Sequence, residues 1–133
     1  MPISAMEFLG LRTTIYPAPE LEKSKAWFTA LLGTEPYFDE PFYVGYSVAG
    51  YELGLDPNAD PDEGAQSYWG VPDAAAAFAE LLDLGSTVVL PVTDTGEGIR
   101  VARVRDPLGN VIGIIENPIF ELPDRPESPG PGR

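Results

Sequence analysis

The stretch Arg105–Asn117, RDPLGNVIGIIEN, decides how the rest of the chain is parsed. Pro107 holds φ at about −65°, and Gly109 and Asn110 tolerate positive φ, so the segment reads as a strand end, a tight turn and a new apolar strand. Just upstream, Gly98–Asp106, GIRVARVRD, alternates apolar and charged residues as a half-buried strand does. The two form a closing hairpin, and it ends a longer pattern.

Working back from the hairpin, Ser86–Val92, STVVLPV, is a third strand candidate. It follows a helix over VPDAAAAFAELLDLG, Val71–Gly85. Ala74, Ala77, Phe78, Leu81 and Leu82 fall on one stripe at helical spacing, Asp73 suits the first turn and Gly85 ends the helix. A short strand, QSYWG, precedes it. The first half repeats this order. Leu11–Pro17 is a strand, and the helix in PELEKSKAWFTALLG carries Leu21, Ala26, Trp27, Phe28, Leu31 and Leu32 as its apolar positions. Pro19 suits its first turn and Gly33 its C-terminal cap. Then come TEPYFDE, FYVGYSVAG and YELGLD. The order βαβββ therefore occurs twice, which is not the βαβα alternation of a doubly wound parallel sheet. The expectation is an α+β fold made of two βαβββ modules forming a mixed sheet. The modules run over about residues 11–57 and 66–117, joined by an acidic linker at 58–65. Residues 1–120 form one domain and the Pro-rich 121–133 a loose tail.

Composition narrows the chemistry. Among 133 residues there is no cysteine and no histidine, which removes thiolate nucleophiles, zinc–thiolate and Fe–S sites, and imidazole acid–base or metal chemistry. Any metal would need oxygen ligands. The net charge of −13, from 21 acidic and 8 basic residues without a basic run, does not suit nucleic acid and does suit a cationic small molecule. No apolar run approaches the ~20 residues of a membrane span. The N-terminus lacks a signal-peptide pattern, so a cytoplasmic location is expected. No G-x-S-x-G elbow or phosphate-binding glycine loop is present.

On three pieces, PELEKSKAWFTALLG, VPDAAAAFAELLDLG and VARVRDPLGNVIGIIE, the chain from Leu11 to Asn117 resembles the glyoxalase/bleomycin-resistance/dioxygenase superfamily, also called vicinal oxygen chelate. The resemblance implies a cupped sheet, helices on its outer side, and a ligand in the cup. In the family's enzymes a divalent metal sits there too, held by His, Glu or Gln on the first and last strand of each module. Carried onto this chain, those places fall on Thr13, Glu52, Gln66 and Gly113. Only Glu52 and Gln66 are plausible ligands, and Gly113 has no side chain. Glu116 is three residues on, so strand alternation turns it to the other face.

Alternation nominates the cup face: Glu52 with Gly54 and Asp56, Gln66 with Tyr68, Gly113 with Val111 and Ile115. On the seventh strand Val101, Arg103 and Arg105 face the cup while Ala102 and Val104 face a helix. Arg103 is a candidate partner for Glu52 or for an anionic ligand. Trp27 and Trp69 read as core. Tyr37, Phe42, Tyr43 and Tyr46 crowd the second and third strands, and Tyr43 and Tyr46 join the ligand-binding set of Thr13, Glu52, Gln66, Tyr68, Arg103 and Gly113. The expectation is a metal-free protein that binds a cationic or aromatic small molecule and forms a homodimer. The alternatives are a lyase or dioxygenase with a divalent ion at Glu52 and Gln66, and a metal-free enzyme using Glu52 as general base.

Overall fold

The computed structural model describes residues 7–120; the predicted tail at 121–133 lies outside them. The chain runs β1 (Gly10–Pro17), α1 (Leu21–Leu32), β2 (Phe38–Glu40), β3 (Tyr43–Val48), β4 (Tyr51–Asp56), β5 (Gln66–Gly70), α2 (Ala74–Asp83), β6 (Thr87–Gly96), β7 (Ile99–Arg105) and β8 (Val111–Glu116). A single 3-10 turn, Pro61–Glu63, interrupts the link between β4 and β5.

The fold is α+β. All eight strands form one mixed sheet in the order β2-β3-β4-β1-β5-β8-β7-β6. Each half has the same pairing. In one, β1 runs parallel to β4; in the other, β5 runs parallel to β8. The halves meet where β1 pairs antiparallel with β5. One face of the sheet is covered by the helices, and each helix packs on its own half. Under α1 lie Ala18, Val44, Tyr46 and Leu55, with Leu21, Phe28 and Leu32 against them. The buried face of α2, with Ala74, Ala77 and Leu81, packs on Val71, Ala102, Val104 and Ile114. The other face is left to form the cup.

The closing hairpin, β7 to β8, is built as its residues dictate. The Asp106 carboxylate accepts from the backbone N–H groups of Leu108 and Asn110, each at 2.8 Å, and Asp106 N–H donates to the Asn110 carbonyl. These hydrogen bonds hold the Asp106 carboxyl below the usual range. Arg105 closes the turn by donating to the Gly109 carbonyl. Glu116 faces away from Gly113, and its carboxylate accepts from Ala74 N–H at 2.9 Å, so β8 caps the first turn of α2. Asp73 is the N-cap of that helix and accepts from Ala76 N–H.

Several elements differ from expectation. Helix α1 starts at Leu21 behind Glu20, so Pro19 precedes the cap instead of occupying the first turn. Gly33 does take the left-handed C-terminal position, at φ 70°. Trp27 is a correction. It is 61% exposed and Leu31 59%, because only Leu21, Phe28 and Leu32 fall on the narrow stripe that reaches the sheet. Trp69 faces away from Tyr68 and stacks on Phe8, with ring centroids 5.7 Å apart. Strand β2 shrinks to three residues, and β6 extends to Gly96, leaving the two-residue turn Glu97–Gly98. No helix of the described residues is long and apolar enough to cross a membrane.

Candidate functional site

The open face of the sheet holds a cavity of about 920 Å³ lined from both halves. That lies within the ~300–1,000 Å³ of small-molecule sites. Tyr37, Phe38, Phe42 and Tyr43 form an aromatic wall at the first half, with Phe38 at 6.0 Å from Phe42 and 6.2 Å from Tyr43 between ring centroids. Ile99, Val101 and Ile115 form the apolar wall opposite.

The polar centre is Glu52. Tyr37 donates to its Oε2 at 2.7 Å, and Thr13 Oγ1 lies 3.4 Å from Oε1. Burial, then its hydrogen bond to Glu52, pushes the Tyr37 hydroxyl well above its ordinary value. Burial and the negative Glu52 carboxylate push Tyr43 up as well. Both phenols therefore stay protonated, and Tyr37 donates to Glu52.

Strand register explains which predicted residues meet. Glu52 pairs with Thr13, Thr13 with Tyr68, Tyr68 with Gly113, and Gly113 with Arg103, so these residues form one row across five strands. Gln66 is not in that row. It pairs with Ile15, two positions along, is 8% exposed and does not line the cavity.

Tyr46 is a second correction. Tyr43 and Tyr46 are three apart on one strand and cannot share a face. Tyr46 is 0% exposed beneath α1, where its hydroxyl donates to the Lys25 carbonyl at 3.0 Å and accepts from Thr29 at 2.8 Å. Arg103 does not meet Glu52. It reaches Glu63 of the 3-10 turn at 3.5 Å and does not line the cavity. It ties the linker to β7, with its Nε buried and without a hydrogen-bond partner among the described residues.

Four strand glycines shape the floor, and none of them has a positive φ. Each is needed for space, not for backbone freedom. A Cβ on Gly113 would stand 2.6 Å from the Ser67 carbonyl oxygen and 2.7 Å from the Tyr68 ring. On Gly54 it would overlap the Tyr43 hydroxyl, and on Gly45 it would meet Glu52 Oε2 at 2.7 Å. On Gly70 it would meet Arg12 Nε at 2.8 Å. Glycines inside strands are the sequence signal of such close approach. Sequence reasoning read Gly113 only as a missing ligand and did not use that signal; it named Tyr37 among the aromatics near the cup but missed Phe38 and Arg12 as lining residues.

These residues do not fit the superfamily's metal. The fourth ligand place is Gly113, and the Tyr68 ring occupies the space above it. The third lies outside the row of Glu52. The Glu52 oxygens already face hydroxyl donors. No group of three or more His, Cys, Asp or Glu side chains converges among the described residues. A lone carboxylate is a poor cage for a hard cation. What the arrangement offers is a single anionic acceptor inside an aromatic, apolar cavity.

The fold has many solved relatives. A Streptomyces coelicolor methylmalonyl-CoA epimerase variant, in complex with 2-nitronate-propionyl-CoA, is 17% identical, with 88% of this chain and 100% of that chain covered and a TM-score of 0.67. A superfamily member from Vibrio splendidus 12B01 is 16% identical over 80% of this chain and 99% of that one, TM-score 0.62. The Mn(II)-bound glyoxalase from Novosphingobium aromaticivorans is 16% identical over 84% of this chain and 40% of that one, TM-score 0.60. At these identities the likeness is one of fold. No match was found among curated proteins. The family model for the Glyoxalase/Bleomycin resistance protein/Dioxygenase superfamily matches residues 10–114, most of the chain, and the protein belongs to that superfamily.

Proposed function

We propose that the protein is a metal-free small-molecule-binding member of the superfamily, holding an aromatic compound with a cationic or hydrogen-bond-donating group against Glu52. The observation that carries this reading is the Glu52 carboxylate, set between Thr13 and Tyr37 in a cavity whose fourth metal-ligand place is filled by the Tyr68 ring over Gly113. A carboxylate accepts about four hydrogen bonds, so it retains capacity for a ligand donor after its protein partners. The aromatic wall supplies flat faces for stacking and for a cation. Burial and the nearby Glu52 carboxylate raise the Tyr37 and Tyr43 phenols, which stay protonated as neutral hydroxyls beside the ligand's place.

A thermal-shift screen with aromatic amines, cationic glycopeptides and polyketides tests the reading. Stabilising hits are expected, and Glu52→Gln should weaken each cationic hit by roughly tenfold or more, the loss of a charge-assisted hydrogen bond worth about 1.5–3 kcal/mol. Chelator treatment should leave Tm unchanged. A stoichiometric divalent ion whose removal lowers Tm, or a screen without any stabilisation, overturns it.

A further inference from the structure

We propose that Arg12, with Asn117 beside it, forms a second polar subsite in the cup, one that takes an oxyanion such as a carboxylate or phosphate. The ligand is then an aromatic molecule with an anionic group at one end and a donor group for Glu52 at the other. This rests on the reading of the cup as a ligand site.

The placement of Arg12 comes from a β-bulge. Leu11 pairs with Trp69 and Thr13 with Tyr68, so Arg12 is an extra residue on β1. Without it, alternation would turn Arg12 and Thr13 to opposite faces; with it, both line the cavity. The side chain then crosses β5 at Gly70, where a Cβ would stand 2.8 Å from Nε and 3.1 Å from Cγ. Beyond Gly70, the Phe120 ring covers the guanidinium at 4.1 Å. Stacking holds the plane and leaves the N–H edge available to an oxyanion. Arg12 enters no ion pair among the described residues. Asn117, also on the cavity lining, accepts from Ile119 N–H through Oδ1, which leaves its amide N–H groups for a ligand.

Charge supports the assignment. The net charge of −13 repels anions, so an anionic group in the cup depends on a local cation, and Arg12 is the basic residue of the cavity lining. Glu52 and Arg12 belong to different parts of the cup. Glu52 lies on β4, while the Arg12 head lies over β5, two strands away, or on the order of 10 Å between the underlying backbones. That span suits a fused or extended aromatic body.

Two fluorescent dyes separate the subsites: anionic anilinonaphthalene sulfonate and cationic thioflavin T. The wild-type protein should bind both. Arg12→Met, which keeps an unbranched apolar stem, should weaken the anionic dye at least tenfold and leave the cationic dye within about twofold. Arg12→Lys should retain most of the anionic binding, and added salt should weaken it. Unchanged binding of the anionic dye by Arg12→Met overturns the subsite. So does equal loss of both dyes in Arg12→Lys with native circular dichroism, which would make the residue merely structural. If the wild type binds thioflavin T but not the anionic dye, the subsite falls and the cup reading stands. If it binds neither, both fall.

Discussion

At Gly113 a missing side chain has two consequences. It leaves no side chain where the resemblance expects a metal ligand, and it admits the Tyr68 ring to that space. The absence was legible in the sequence; its occupant was not, because the ring comes from β5, 45 residues earlier. Gly113→Ala tests the packing. Its Cβ would press on the Ser67 backbone carbonyl as well as on the ring, and backbone cannot swing aside, so a loss of about 1–3 kcal/mol is expected in denaturant unfolding. The phenols give a pH signature. Tyr37 and Tyr43 are raised above the ordinary 10.0 in the folded protein. The unfolded chain ionises first, so their contribution is fully present below pH 10 and is lost as pH rises beyond it toward the folded values. Absorbance titration should show Tyr37, Tyr43 and Tyr68 ionising only with alkaline unfolding.

Elements were more legible than their faces. Both helices, the closing hairpin and the double βαβββ order follow from local periodicity and turn residues. The narrowness of the α1 stripe did not, since Ala26, Trp27 and Leu31 are apolar and at plausible spacing yet point away from the sheet. Tyr46 was misplaced although parity alone separates it from Tyr43. Glu116 shows an element-level role that strand alternation half revealed: it faces the helix side, and there it caps α2. Glu116→Ala should cost about 1 kcal/mol and lower Tm by several degrees, with cup ligands unaffected, because the side chain lies on the opposite face from the cavity.

For the whole molecule, the β1–β5 junction brings both halves of the cup together within one chain. The expected homodimer is a proposal of surface contact between copies of this chain. The exposed Trp27 and Leu31 on α1 support such a contact. Light scattering should report twice the 14.3 kDa chain mass, and Trp27→Glu should return it to one chain with the fold and cup retained.

By itself the sequence determined the order of elements, the modular repeat, the turn at Pro107–Asn110, and a donor set without His or Cys that leaves Gly113 bare. Those features are properties of neighbours along the chain, where propensity, period and residue chemistry act. The tertiary structure alone decided that Thr13 and Tyr68 join Glu52 in one row, that Gln66 stands outside it, that Arg103 turns to Glu63, and that a bulge brings Arg12 into the cup. Each of these depends on register between strands far apart in sequence, and a single extra residue in one strand reverses which side chains share a face.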